Sequence, residues 1–556
     1  MDRKEVIPEP LITANLIKNF EKIMDLSFTK AERKLMLKKL DQQRSDISNI
    51  RNVKLSHCVP PSLVFNPAPF ETVYSHEGVN SDRKLKISKM QRISAPSNLE
   101  DVAFYPVTHL SQLIRTQEIE STQLTRMYLD RLKRYNPILR CVITLTEERA
   151  ILQAKKADED IASGHYRGPL HGIPWGVKDI LATRGTRTTW GASPFKDQII
   201  DTNGTVLDRL EAAGAVLVAK LSLGALAYGD VWFDGQTKNP WNIEEGSRGS
   251  SAGSAASVAA GLVAFAIGTE TYGSIIAPCT RCGVTGFRPT FGRVSRYGAM
   301  PLSWSLDKIG PICRSVEDCA IVFNAIYGPD ENDAATLVDY PFTWNPSKSI
   351  RELRLGYVKN AVKATNTQNI NDSSYFYDVE QDVGEYGIQT LSVLQSLGFN
   401  LTPITLPSFP IKSIEWIIEL TEAAASFDEL TRSNKDDLLV KQDEEAWPNL
   451  FRAARLIPAV EYIQANRIRT LIMKAMATVF DNIDVYIAPS MGYNLILTNL
   501  TGHPAVVVPN GFSTDGKPCS SITFIGKLYG EADLLRVVKA YQDSTDFHQR
   551  HPEMNY

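Results

Sequence analysis

A chain of 556 residues is longer than one ordinary hydrophobic core, and its 43% apolar and 22% charged residues belong to a globular protein rather than a disordered or fibrous one. A net charge of −3 provides no field to attract nucleic acid or a membrane surface, and no apolar run approaches the ~18 residues of a spanning helix. Seven scattered cysteines make no disulfide framework and Met1–Glu5 lack the apolar stretch of a secretory signal, so the expectation is a soluble, cytoplasmic protein.

Residues 1–100 read as a helical N-terminal extension. Helices are predicted over Leu11–Met24 and Ala31–Ile50, the second opened by Thr29-Lys30-Ala31-Glu32, a capping-box pattern. Pro60-Pro61 and the proline-containing loop Phe65–Pro69 mark a boundary. The S-x-x-K pattern occurs at Ser27–Lys30, Ser81–Lys84 and Ser305–Lys308, and its recurrence shows how little two fixed letters specify.

Between 107 and 165 the period is helical, with Leu124, Tyr128, Leu132 and Tyr135 on one face, then Ala150, Ala154, Ala157 and Ile161 on another. Gly164 is a natural residue to end that helix. Helices then alternate with short apolar runs at Ile173–Leu181, Ala215–Lys220, Leu353–Val358, Ile483–Ala488, Ala505–Val508 and Ser521–Ile525, which predicts an α/β sheet covered on both faces. Ser315-Val316-Glu317-Asp318 starts a helix that stops at Gly328-Pro329. Residues 360–375 and about 434–450 are polar and loop-like.

The chemistry concentrates in residues 246–290. From Gly246 to Ser254 the only large side chain is Arg248, so backbone N–H groups there can approach a ligand closely. A small-residue helix follows, then a second turn, Thr271-Tyr272-Gly273-Ser274. A phosphate cradle is disfavoured because no Gly-Lys-Ser/Thr follows the glycines. Gly249-Ser250-Ser251-Ala252-Gly253 is formally a nucleophile elbow, but that motif needs a preceding strand and a triad histidine. Pro240 spoils the strand upstream, and His503, His548 and His551 come with no obvious acid. A different base is available. Lys178 stands alone in the apolar run Pro174–Leu181, and burial disfavours its charged form; a fall from ~10.4 to near 7, roughly 3–4 units, lies within known burial effects and would let a neutral amine activate a serine. A lysine paired with Asp179, or snorkelling to solvent, is the alternative from these residues alone.

These blocks resemble the amidase signature hydrolases. The likeness is carried by Gly168–Pro174 leading into Val177-Lys178-Asp179, by Asn239-Pro240-Trp241, by Gly249–Ser254 and by Gly268–Ile275. Gly283–Thr290, Ser305–Pro311, Gly502–Ala505 and Pro509–Phe512 continue it in order, over about residues 105–550. The resemblance implies an amidase signature fold, a mixed central sheet between helical layers (α/β/α), as one catalytic domain at 101–556. The extension at 1–100 is then available to pack on that domain or to mediate a homodimer.

The resemblance also implies a Ser–cis-Ser–Lys triad with Lys178 as base, Ser250 as bridging serine and Ser274 as nucleophile. Backbone N–H groups of Thr271, Tyr272, Gly273 and Ser274 would form the oxyanion hole, and Ser251 would support the loop. The implied activity is hydrolysis of small-molecule carboxamides through an acyl-enzyme, with no cofactor. Two departures bear on the substrate. Tyr272 stands where many members have glycine, placing a ring in the acyl pocket, against an aromatic substrate or outward, and Ile276 stands where many have arginine, which removes a fixed charge. The lone C-x-x-C at Cys279–Cys282 has neither a second pair nor a histidine, so no metal is expected. Gly292–Gly298 resembles the glutamine-hydrolysing component of aminoacyl-tRNA amidotransferases, which makes that role the alternative function.

Overall fold

The computed structural model describes residues 12–23, 26–51, 59, 63–68, 85–336, 339–358 and 384–556. The chain divides into two compact units at Pro60/Pro61. The loop expected over 360–375 and the S-x-x-K at Ser81–Lys84 lie outside the described residues, as do Pro60, Pro61 and Pro69 of the boundary motif.

The first unit holds two helices, Ala14–Ile23 and Lys30–Arg51. The capping box forms as its sequence predicts: Glu32 N–H donates to Thr29 Oγ1 at 3.2 Å, and the Glu32 carboxylate accepts from Thr29 N–H at 2.5 Å. Arg33 grips the buried Glu21 through Nε at 2.7 Å and Nη2 at 2.8 Å, tying one helix to the other.

The second unit is built on an 11-stranded sheet. In chain order its strands are β1 (Val142–Leu145), β2 (Pro174–Lys178), β3 (Val216–Leu221), β4 (Phe265–Glu270), β5 (Thr285–Arg288) and β6 (Lys308–Cys313). They continue with β7 (Leu355–Val358), β8 (Leu401–Ile404), β9 (Val485–Pro489), β10 (Ala505–Phe512) and β11 (Pro518–Gly526). Their spatial order is β1-β3-β2-β4-β6-β5-β10-β11-β9-β7-β8. The sheet is mixed: β3, β2 and β4 run parallel, as do β9, β7 and β8, while the pairings from β4 through β6, β5, β10 and β11 to β9 are antiparallel.

Two hydrophobic layers cover the sheet, as the alternating pattern predicts. Trp175, Val177, Phe265 and Ile267 enter one layer; Val218, Ala266 and the helix Ala252–Ala259 belong to the other. Successive side chains of a strand point to opposite faces, so Lys178, following Val177, is directed to the face of that helix. The helix comes close because its side chains are small, and Gly253 is required: a Cβ there would stand 2.3 Å from the Cys141 carbonyl.

Ser315 caps the helix Val316–Ile326 by accepting from Asp318 N–H, as its sequence predicts. Residues 434–450 are more ordered than their polarity implies: Lys435–Leu438 form a 3-10 turn, and a helix begins at Trp447, whose buried ring anchors it. Residues 85–98, expected from sequence to be part of the extension, belong to the second unit and are fastened to it, for example by Lys86 N–H to the Trp344 carbonyl at 3.0 Å and by Ser88 N–H to Glu317 at 2.8 Å. Among the described residues no helix is long and apolar enough to cross a membrane.

Candidate active site

Lys178 is the last residue of β2, and its parallel neighbour β4 ends at Glu270, so both strands deliver their carboxyl ends to one edge of the sheet, where ligand sites of α/β folds collect. Lys178 is fully buried. Its Nζ lies 2.8 Å from Ser250 Oγ and 2.7 Å from Thr269 Oγ1, with the Thr269 carbonyl at 3.5 Å. Burial pulls its pKa from the ordinary lysine range to about 7, against the opposing pull of Asp307 and Glu270.

Asp179 does not pair with Lys178. It forms a buried ion pair at 2.9 Å with Lys220 of β3, and its other oxygen accepts from the Thr189 N–H at 2.7 Å and hydroxyl at 2.5 Å. Lys220 also donates to the Leu181 carbonyl at 2.7 Å and to Thr188 Oγ1 at 2.9 Å.

The peptide bond Gly249–Ser250 is cis. Gly249 is required because a Cβ on it would lie 1.9 Å from the Gly229 carbonyl, so the loop 224–230 packs directly against this turn. The Asp230 carboxylate accepts from Arg248 N–H at 2.9 Å and clamps the two segments. Ser251 joins the serine loop to the β4 turn. Its N–H donates to the Ser274 carbonyl at 3.0 Å, while its Oγ accepts from Thr269 N–H and lies 3.1 Å from the Thr269 carbonyl. Lys178, Ser250, Ser251 and the Ser274 turn are therefore brought together.

The turn Thr271–Ser274 is held from both ends. Glu270, fully buried, accepts from the N–H groups of Ile275 and Ile276 at 2.9 Å each, and is itself bound by Arg288 Nη1 at 2.6 Å and Asn499 Nδ2 at 2.9 Å. The Thr271 hydroxyl donates to Asp307 at 2.6 Å, whose second oxygen accepts from Leu302 N–H and Ser303 N–H. Gly273 takes a φ of +84°, which spares the turn a side-chain clash. Tyr272 is half-buried against the hydrophobic layer containing the helix Ala252–Ala259.

Thr269, Glu270, Asp307 and Arg288 lie in motif blocks of the sequence, yet sequence reasoning assigns them no role. A polar residue inside an apolar strand is the available signal for Glu270. For Asp307, nothing local points 36 residues back to Thr271.

The remaining candidates fall away from this cluster. The His503 ring stacks on Phe480 with centroids 4.9 Å apart, its Nδ1 lies 2.7 Å from Thr501 Oγ1, and burial holds its pKa down at about 3. Contrary to the strand-breaking expectation for Pro240, a short strand does precede the loop: Asn242–Gly246 pairs with Lys238–Asn239, apart from the main sheet. Ser305 of the last S-x-x-K gives its hydroxyl to Glu422 at 2.7 Å. Cys279 and Cys282 are buried, and burial pushes both thiols up.

The amidase family's sequence profile matches residues 123–494. The chain is 34% identical over 488 residues to the A component of the glutamyl-tRNA(Gln) amidotransferase of Thermosynechococcus vestitus, covering 80% of this chain and 98% of that one. Among solved structures, the native peptide amidase of Stenotrophomonas maltophilia superposes with a TM-score of 0.70 at 28% identity, over 82% of this chain and 99% of that one. An amidase family protein from Bacillus anthracis gives 0.70 at 27%, over 82% and 93%. With a family match across most of its length and these relatives on both sides, the chain belongs to the amidase family and is an enzyme that hydrolyses the carbon–nitrogen bond of amides.

Proposed function

We propose that the chain is a stand-alone hydrolase of small linear carboxamides that works through Lys178, Ser250 and Ser274. The observation that carries this reading is the fully buried Lys178 amine, brought to about 7, set 2.8 Å from the Ser250 hydroxyl. Near neutral pH a large fraction of that amine is unprotonated and able to accept a proton. Ser250 gives its hydroxyl proton to Lys178 Nζ and takes the proton of Ser274, so one base activates an oxygen it need not touch.

Ser274 Oγ then attacks the amide carbonyl. The oxyanion is received by backbone N–H groups among Thr271, Tyr272, Gly273 and Ser274, a contribution typically worth ~3–4 kcal/mol per donor. Collapse breaks the C–N bond, and the proton held on Lys178 returns through Ser250 to the leaving ammonia or amine. Water, deprotonated by the same relay, cleaves the acyl-enzyme to a carboxylate. Ser251 and Glu270 position the two turns rather than touching substrate.

The purified protein alone, without ATP or partner, should release ammonia from simple carboxamides. Ser274→Ala should lower that rate by roughly 10³-fold or more and abolish labelling by a fluorophosphonate. Full activity and labelling in this variant would overturn the reading.

A second reading follows from the amidotransferase relatives: a component that hydrolyses glutamine within a larger amidotransferase. The first hundred residues, and Ile276 at a position where many members carry arginine, favour the stand-alone enzyme. Glutaminase activity that appears only with tRNA and a partner protein would decide for the amidotransferase role.

A further inference from the structure

Asp307 and Lys308 are consecutive titratable side chains that the proposed chemistry leaves unused, and both meet the turn that ends in Ser274. Strand register brings them there. β6 pairs antiparallel with β4 and Lys308 lies opposite Glu270, so Asp307 stands beside Thr271, the first residue of the turn. Lys308 is 3% exposed and Thr271 5%.

One residue holds the side chain of Thr271 and the other its main chain. The Thr271 hydroxyl donates to Asp307 at 2.6 Å. That carboxylate is fixed in turn, because its other oxygen accepts from Leu302 N–H at 2.8 Å and Ser303 N–H at 3.0 Å. Lys308 Nζ reaches back to the Thr271 carbonyl at 3.5 Å and also donates to the Leu306 carbonyl. A buried lysine ordinarily finds a carboxylate. Here the strand neighbour Glu270 is bound by Arg288 at 2.6 Å, and the hydrogen bonds of Lys308 go to main-chain carbonyls. Burial pushes its pKa well below the ordinary lysine range, and as amine or ammonium it has N–H groups to give.

Holding a carbonyl also sets the direction of the N–H in the same peptide. The Thr271–Tyr272 peptide is planar and trans, Gly249–Ser250 being the cis bond of the described residues, so its N–H points opposite to its C=O. With the Thr271 carbonyl turned to the buried Lys308, the Tyr272 N–H is turned away from it. The Gly273–Ser274 peptide obeys the same rule. Its carbonyl accepts from Ala277 N–H at 2.8 Å, which turns the Ser274 N–H away from the helix Ile276–Cys282. Gly273, at φ +84°, lies between the two donors, and a left-handed residue in such a turn lets neighbouring N–H groups face one anion. The N–H groups of Ile275 and Ile276 go to Glu270 instead.

We propose that Asp307 and Lys308 are positioning residues for the reaction: by fixing Thr271 through its hydroxyl and its carbonyl, they aim the Tyr272 N–H at the oxyanion. The inference rests on Ser274 being the nucleophile, and it deepens that reading by assigning the oxyanion to two donors, Tyr272 N–H and Ser274 N–H, out of the four in the turn. A donor on a peptide's carbonyl also polarises the N–H of that peptide, so Lys308 strengthens the donor that it aims. Neither residue needs to touch substrate.

The test uses the whole chain and a fluorophosphonate, from which Ser274 Oγ displaces fluoride while the phosphonyl oxygen takes the place of the oxyanion. In Thr271→Val and in Lys308→Met the second-order labelling rate and kcat for amides should each fall by roughly 10–100-fold, as expected when a donor is misaimed rather than removed. KM should change by less than about threefold, and labelling carried to its end should still reach full stoichiometry. Thr271→Ser keeps the hydroxyl for Asp307 and should restore both rates to within about threefold of the unaltered enzyme. Phenylboronic acid, which Ser274 converts to a tetrahedral boronate as its proton passes to the relay, should protect the two impaired variants from labelling more weakly, in proportion to their loss of rate. An unaltered labelling rate and kcat in Thr271→Val and Lys308→Met overturn the inference and leave the triad standing. So does a loss seen only as a smaller labelled fraction, or one that Thr271→Ser shares, since either marks a fold defect. Where one of the two impaired variants does not fold, the other decides. No labelling of the unaltered protein overturns the triad reading and the inference with it.

Discussion

Lys178 and Lys220 sit on neighbouring parallel strands, both fully buried and both pulled below the ordinary lysine range by burial. Their partners separate them. Lys220 faces the Asp179 carboxylate at 2.9 Å, a partner that favours the charged form and opposes the effect of burial. Lys178 faces two hydroxyls, at 2.8 and 2.7 Å, which accept from an ammonium but also donate to an amine. The same desolvation therefore gives a structural cation in one place and a candidate base in the other. What distinguishes them is whether the nearest oxygen carries a charge.

The sharpest way to break this contrast is Lys178→Met. It should reduce hydrolysis by about 10²–10⁴-fold, the usual contribution of a positioned base. In the unaltered enzyme kcat/KM should rise with pH and level off above about 7, as the amine loses its proton. Stability should carry the same signature. The folded value of about 7 lies below the unfolded ~10.4, so between those limits the unfolded chain binds more protons and stability increases as pH rises. Denaturation midpoints measured from pH 6 to 10 should show that rise in the native protein and a flatter profile in the variant. An unchanged rise would mean that another group titrates.

Lys220→Met should act on folding instead. Removing one partner of a buried pair leaves Asp179 as an uncompensated charge and costs about 3–5 kcal/mol. Unfolding in denaturant should show this loss, while the enzyme that remains folded keeps a pH–rate midpoint near 7. Adding Asp179→Asn should recover part of the stability, because the orphaned charge is then gone. A shift of the pH–rate midpoint comparable to that of a Lys178 variant would erase the distinction between the two lysines.

The two sites are unequally legible in the sequence, for a physical reason. A lone lysine in the apolar run Pro174–Leu181 and small residues around Ser250 are visible in the sequence, and the α/β layers can be read in advance. That Lys178 meets Ser250 comes only from the family resemblance, because the residues alone leave open a lysine paired with Asp179 or snorkelling to solvent. Lys220 reads only as the end of a strand, although it too is a charge in an apolar run. Nothing near Asp179 tells which of two adjacent lysines will face it. That choice depends on strand register, Lys220 lying opposite Val177 in β2, and on the alternation of side chains across the sheet. Strands β5 and β6 escape a sequence reading because their glycine and proline residues dilute the apolar pattern, which tertiary pairing overrides.

Thr269→Val tests the smallest part of the contrast, the second hydroxyl on Lys178. Valine keeps the shape and removes the oxygen at 2.7 Å. Hydrogen bonds from a charged donor are about twice as strong as neutral ones, so losing this acceptor penalises the ammonium more than the amine. A differential of about 1 kcal/mol should move the pH–rate midpoint to lower pH by roughly 0.5–1 unit. The plateau rate should fall only a few-fold, because Ser250 still holds the amine and the Thr269 backbone still meets Ser251. A midpoint that moves upward would instead mean that Thr269 mainly donates to a neutral Lys178, and the hydroxyl pair would then be stabilising the base rather than its conjugate acid.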